Sequence, residues 1–156
     1  MDGNQFKNLI SSFFDKHLLK IEISGAVLIF TGMIMMEEQI RGGFVLVGLC
    51  LTVLATVYYL LAFMPATETS LISIISQKVI GISSSIVMIG IMFQLFELNG
   101  SKIMLTVGLT SLFVAAVLHI IGASRSEEGI KHKGNIFRAL IILVLGAFVY
   151  YYPPFS

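Results

Sequence analysis

Three runs of 18 to 21 residues without Asp, Glu, Lys or Arg limit the folds open to this chain more than any other feature. They cover residues 44–64, 79–96 and 103–123. A helix rises about 1.5 Å per residue, so roughly 20 apolar residues cross the hydrocarbon core of a bilayer. Only 12% of the chain is charged, against about 25% in a typical soluble domain. We therefore predict an α-helical integral membrane protein.

Two further segments are weaker candidates for membrane spans. The uncharged run 23–36 has 14 residues, so it spans only if Lys20 and Glu22 lie at the membrane surface. Residues 136–152, with Arg138 near the start, predict either a short span or an interfacial helix. Residues 5–20 place apolar side chains at helical spacing opposite a lysine-rich face. This pattern predicts an amphipathic helix on the membrane surface or a helix that docks on a partner protein.

The predicted fold is all-α, with five transmembrane helices arranged as two parallel helical hairpins and a C-terminal helix. The predicted segments are an amphipathic interfacial helix (1–20), a first transmembrane hairpin (21–64), a cytoplasmic linker (65–78), a second transmembrane hairpin (79–123), a basic cytoplasmic loop (124–135) and a C-terminal transmembrane helix (136–156).

The distribution of basic residues predicts the orientation, because cytoplasmic loops carry more Lys and Arg. With a cytoplasmic N-terminus, eight basic residues fall on the cytoplasmic side, and Arg41 and Lys102 fall on the other. The C-terminus would then face outward.

The two hairpins resemble each other in sequence. An offset of 58 residues aligns Gly32 with Gly90 and Gly42 with Gly100. An offset of 60, after a two-residue insertion in the turn, aligns residues 47–49 with 107–109, both Val-Gly-Leu. Both copies start on the same side, so we predict a duplication related by a pseudo-two-fold axis along the membrane normal.

Small residues predict where helices touch, because close backbone approach drives helix association in lipid. Gly25 and Gly32 are seven apart, and Gly81 and Ser85 are four apart. The contacts could lie within the chain or, for some residues, in a homo-oligomer. The predicted packing residues are Gly25, Gly32, Gly48, Gly81, Ser85, Gly90, Gly108 and Ala115.

Four polar side chains near the ends of the predicted spans are candidate functional groups, because polar groups at membrane depth are costly. They are Glu22, Gln94, Glu97 and His119. For His119 we expect snorkelling to the interface or a bond to a backbone carbonyl, with a proton relay as the functional alternative. For Glu97 the alternatives are a solvated loop and part of an acidic ring that concentrates cations.

The sequence shows no pattern that predicts catalysis or ligand binding. No nucleophile–base–orienter set is visible, the three histidines lack metal-ligand spacing, and no phosphate-binding glycine loop is present. The net charge of +1 gives no basic field for nucleic acid. We therefore expect no catalytic residue, no cofactor, no metal and no nucleic-acid partner.

The stretch 81–121 contains Gly-x-x-Ser-Ser-Ile-Val-x-Ile-Gly, a short turn with Gly100, and then Met-Leu-Thr-Val-Gly-Leu at 104–109. It resembles the transmembrane hairpin of the L subunit of the gliding-motility and type IX secretion motor of Bacteroidota. The resemblance implies a bacterial inner membrane and shared ancestry of the hairpin. The family carries an acidic residue just after the Gly-Leu pair, where this chain has Thr110, Ser111 and Leu112. The resemblance therefore implies no ion-driven motor function.

These patterns lead to two functional hypotheses from different classes. The first is a non-enzymatic scaffold, assembly or accessory subunit of a larger bacterial membrane complex, with lipid and either its own copies or other membrane subunits as partners. The second is a small oligomeric ion channel or transporter, which the pairs Thr52/Thr56 and Thr106/Thr110 keep open as a weak polar stripe. A small membrane enzyme is a third reading, and the scarcity of polar groups counts against it.

Overall fold

The structure, a computed structural model, describes residues 3–63, 71–123 and 132–151. These residues form five α-helices and no strand, which confirms the all-α prediction. The helices are α1 (Gly3–Glu37), α2 (Gly43–Ala62), α3 (Leu71–Leu95), α4 (Ser101–Ala123) and α5 (His132–Tyr151). Four of the described helices contain a segment long and apolar enough to cross a membrane, namely Lys16–Glu37, Gly43–Ala62, Ile74–Leu95 and Ser101–Gly122.

The fifth helix is not among those four. Its apolar part, Ile136–Tyr151, is shorter, so the structure supports four potential spans, and a fifth stays a prediction. The helix begins at His132, within the predicted basic loop.

The structure corrects the predicted bounds of α1 and α3. Helix α1 runs from Gly3 through Lys20 into the first apolar segment without a break, where we expected an interfacial helix and then a span. Helix α3 begins at Leu71, inside the predicted linker 65–78. The Ser and Thr residues of this stretch suggested a linker, but residues 71–78 contain neither Pro nor Gly, so nothing ends the helix. Outside the described residues lie Met64 at the end of the predicted first hairpin, the linker residues 65–70, the loop residues 124–131 and the C-terminal residues 152–156.

The chain forms two compact units, Met1–Leu54 and Ala55–Ser156. The first unit contains α1 and the first part of α2. A Cβ atom placed on Gly32 would lie 2.6 Å from Cγ2 of Val47, and one placed on Gly25 would lie 3.2 Å from the Leu54 side chain. The two helices therefore approach closely at both glycines.

The second unit contains the rest of α2 together with α3, α4 and α5. Helices α3, α4 and α5 all pack against one another, and they meet at Val87, which has no exposed surface. A Cβ on Gly108 of α4 would lie 2.8 Å from Val87 Cγ2, and a Cβ on Gly146 of α5 would lie 2.8 Å from Val87 Cγ1. Because Gly108 and Gly146 have no side chain, α4 and α5 both pack directly against Val87.

The turns that close the two hairpins have the same backbone hydrogen bonds. In the first, Gln39 N–H donates to Met36 O (3.1 Å) and Ile40 N–H to Met35 O (2.8 Å). In the second, Glu97 N–H donates to Gln94 O (3.3 Å) and Leu98 N–H to Phe93 O (2.8 Å). These pairs of bonds define a Schellman motif at the end of α1 and of α3.

The positive φ angles in the turns also correspond. Gln39 (φ 55°) and Glu97 (φ 53°) take the left-handed position that ends the helix, and Gly42 (φ 102°) and Gly100 (φ 89°) precede the next helix. Each pair is separated by 58 residues. The left-handed region strains residues that have a Cβ atom, so the two glycines suit their places and Gln39 and Glu97 do not.

The offset of 58 continues past the turn into the second helix of each hairpin. Gly32 contacts Val47, and Gly90 contacts Leu105. Thr52 donates to Gly48 O, and Thr110 donates to Thr106 O, both at 2.7 Å. The structure therefore shows no two-residue insertion in the second turn. The Val-Gly-Leu match at an offset of 60 is coincidental, because Gly48 corresponds to Thr106 in the structure.

Candidate functional site

The structure places five of the predicted packing glycines in tight contact with a neighbouring helix. A Cβ on any of them would lie 3.2 Å or less from a neighbouring atom, which leaves no room for a side chain without a shift. These five glycines are Gly25, Gly32, Gly81, Gly90 and Gly108. At Gly81 the nearest atoms are Tyr58 O at 2.9 Å and Ala62 Cβ at 3.0 Å, so α2 and α3 touch through their backbones.

The other predicted packing residues and two missed ones complete this set. Ser85 and Ala115 are buried. Gly48 is half-buried, and its carbonyl accepts the Thr52 hydroxyl. Two further glycines in tight contact were not predicted, namely Gly43, on which a Cβ would lie 2.9 Å from Gly32 O, and Gly146. Gly146 carried the same signal as the other glycines, a position within an apolar run, whereas Gly43 directly follows Arg41 and Gly42 at the turn.

The clearest polar feature joins the ends of α3 and α4 that are remote from their turn, which we call the base of the second hairpin. Ser76 Oγ lies 3.0 Å from Nδ1 of His119, and both residues are buried, at 1% and 0% exposed. Snorkelling of His119 to the interface was therefore wrong, whereas a bond from His119 to a backbone carbonyl stays a prediction. Ser76 was missed because the predicted linker extended to residue 78, which left no helix to carry it.

A serine hydroxyl within hydrogen-bond distance of an imidazole nitrogen is the spacing of a nucleophile and its base. Here the hydroxyl is 1% exposed, so an acyl substrate cannot reach it in this conformation. Among the described residues, no group of three His, Cys, Asp or Glu side chains could hold a metal ion. The pair is therefore best described as a hydrogen bond between two helices.

Further buried hydroxyls lie along α3 towards its middle. Ser83, Ser84 and Ser85 are 2%, 1% and 7% exposed. The Oγ atom of Ser84 is enclosed and has no hydrogen-bond partner among the described residues. A buried hydroxyl without a partner destabilises the folded state by about 1–3 kcal/mol. Together with Ser76, four of the buried residues between the base and the middle of α3 are thus serines.

The remaining candidate polar residues are not brought together with His119 by any described contact. Glu22 is half-buried on α1, and Glu97 is exposed in the second turn. Gln94 is half-buried on the last turn of α3, and its Oε1 atom has no hydrogen-bond partner among the described residues.

The threonines of the predicted polar stripe lie on the surface of the chain. Thr52, Thr106 and Thr110 are exposed, and each donates its hydroxyl to a carbonyl one turn earlier at 2.7 Å. Such bonds satisfy the hydroxyl proton in an apolar environment. The stripe could line a pore only between copies of the chain.

Comparisons with known proteins give no relative for this chain. No protein-family model, no curated protein and no solved structure matches it.

Proposed function

We propose that the chain is a non-enzymatic multi-pass protein of the bacterial inner membrane, with a cytoplasmic N-terminus, and that it serves as a scaffold, assembly or accessory subunit of a larger membrane complex. The observation that carries this proposal is the surface of α1. The segment Lys16–Glu37 has a mean hydropathy of 1.8, yet only 11% of its apolar 18-residue stretch is buried in the protein. Burying apolar area is worth roughly 25 cal/mol per Å², so such a helix is stable only against lipid or another protein.

The contrast between α1 and α3 supports a role in assembly. The two helices occupy the same place in the repeat, but 56% of the corresponding 18-residue stretch of α3 is buried. Exposed apolar side chains form a stripe along one face of α1, among them Ile23, Val27, Phe30 and Ile34, which recur every three or four residues. We propose that α1 contributes an interaction surface within the membrane. Lipid alone is the alternative covering.

The resemblance of residues 81–121 to the motor L subunit stays a proposal of common origin for one hairpin. Thr110 donates its hydroxyl to its own helix, and Ser111 and Leu112 carry no charge. These residues stand where the family has its acidic group, so the proposed role does not include ion coupling.

The test is affinity purification of the tagged, full-length chain in mild detergent, with mass spectrometry of the eluate. Cross-linking in intact membranes before solubilisation retains partners that detergent would remove. The control is an unrelated tagged multi-pass protein at the same expression level. We expect another membrane protein to co-elute in a fixed ratio with this chain and not with the control. Elution of the chain alone after cross-linking, or only with its own copies, would contradict the subunit proposal.

A small oligomeric channel is the second candidate, because Thr106 and Thr110 are exposed on one face of α4. In an oligomer this face could meet its symmetry copies and form a polar lining. The hydroxyl protons already bond to helix carbonyls, which makes the lining a weak one.

A further inference from the structure

The polar pair at the base of the second hairpin has no counterpart in the sequence of the first hairpin. Ser76 and His119 join α3 and α4 by a buried hydrogen bond. The positions 58 residues earlier hold Leu18, which is buried, and Leu61, which is half-buried. The two hairpins share their turn and their glycine contacts. Apolar residues at these two positions are therefore compatible with the same turn and the same glycine contacts.

The fully buried polar residues of α3 lie in the half that begins at this pair. Nearer the turn, Gln94 is half-buried, with its Oε1 atom enclosed. From the base to mid-helix the buried residues include Ser76, Ser83, Ser84 and Ser85, whereas from Val87 onwards towards the turn they are apolar or glycine. Ser84 Oγ lacks a hydrogen-bond partner among the described residues. A buried hydroxyl in that condition favours any conformation in which water reaches it.

We propose that the Ser76–His119 hydrogen bond at the base of the second hairpin opens by exchanging for hydrogen bonds to water. Water then reaches Ser83 and Ser84. Both groups can exchange their mutual bond for bonds to water at small net cost, which two leucines cannot do. Ser76 is two residues from the start of the apolar segment Ile74–Leu95, and His119 is three from the end of Ser101–Gly122. Water at the membrane surface is therefore close to the Ser76–His119 pair.

The half of the interface near the turn stays closed in this proposal. There Gly90 lies against Leu105 and Gly108 against Val87, with spacings that leave no room for a Cβ atom. Leu105, Leu112 and Val87 have no exposed surface. Water therefore enters between α3 and α4 from the base only. This inference concerns the conformations of one hairpin, and it does not depend on which complex the protein joins.

The first test measures water access with single cysteines in the full-length protein in lipid nanodiscs, with Cys50 replaced by alanine. Ser83→Cys reports on the proposed wet half and leaves the Ser84 hydroxyl in place. Val87→Cys, one turn further along the same face, is the matched control. Thiols react with a small water-soluble methanethiosulfonate only as hydrated thiolates. We expect Ser83→Cys to react at least about tenfold faster than Val87→Cys. Equal rates would overturn the proposal.

The second test replaces the polar pair with apolar side chains of similar combined volume, by Ser76→Ala together with His119→Leu. We expect the Ser83→Cys rate to fall to the Val87→Cys rate, because an apolar contact does not exchange for water. An unchanged or higher rate would show that water access does not need the Ser76–His119 pair, and would overturn the proposal.

Hydrogen exchange of the wild-type protein keeps the proposal testable if a variant fails to fold. We expect the amides of residues 76–84 to exchange faster than those of residues 87–95, because only the base half opens. Equal exchange in the two halves would show that the hairpin does not open at its base.

Discussion

Gly90 and Leu105 fix the spacing of α3 and α4, since a Cβ on Gly90 would lie 3.0 Å from Leu105 Cγ. Gly32 and Val47 hold the same relationship 58 residues earlier, at 2.6 Å. Glycine in a helix costs about 1 kcal/mol of propensity relative to alanine. Both glycines are therefore explained by contact between helices.

Replacing either glycine with alanine should destabilise its hairpin. Because the added methyl group has no room, we expect Gly32→Ala and Gly90→Ala each to lower the free energy of unfolding by about 1–3 kcal/mol. The measurement is reversible unfolding in mixed micelles. In a double-mutant cycle, Val47→Ala should offset part of the Gly32→Ala loss by making room. Strict additivity of the two changes would contradict the proposed contact.

The turn residues give a prediction of opposite sign. Glu97 has φ 53°, a conformation that costs a residue with a Cβ atom about 1–2 kcal/mol. We expect Glu97→Gly to raise the free energy of unfolding by about 1 kcal/mol. The control is Gly100→Ala, which should lower it because Gly100 has φ 89°. A Glu97→Gly protein no more stable than wild type would argue against the left-handed turn.

The two hairpins also show what the sequence could reveal. Apolar runs predicted the helices, because their length and lack of charge reflect a single dominant energy term. Gly32 and Gly90 revealed the repeat, because a costly residue recurred at a fixed offset. Helix starts were harder to place. Leu71–Lys78 looks like a linker by composition, and only the absence of Pro and Gly allows a helix.

The Ser76–His119 pair could not be found from the sequence by the same means. Its partners are 43 residues apart, and only the register of α3 against α4 brings them together. The predicted linker also extended to residue 78, which left Ser76 outside any predicted helix. Buried polar pairs at membrane depth therefore depend on the accuracy of helix register more than on residue type.

Conduction tests the choice between subunit and channel. We expect the purified protein in liposomes to carry no proton or cation flux above that of empty liposomes. The reason is that the exposed Thr106 and Thr110 hydroxyls donate to their own helix, and a bare ion in hydrocarbon is prohibitively costly. The measurement uses a pH-sensitive dye and an imposed potential. Clear potential-driven flux, reduced by Thr106→Val with Thr110→Val, would favour the channel.

The central claim is that both hairpins cross the inner membrane with their turns outside. Reporter fusions at Ile40, Ala66, Asn99, Ser126 and Ser156 test it most directly in living cells. We expect Ile40 and Asn99 to report the outer side, and Ala66 and Ser126 to report the cytoplasm. An outward Ser156 would add α5 as a fifth span, whereas a cytoplasmic Ser156 would leave four. If Ile40 and Asn99 reported the same side as Ala66 and Ser126, the hairpins would not cross the membrane, and this account would be wrong.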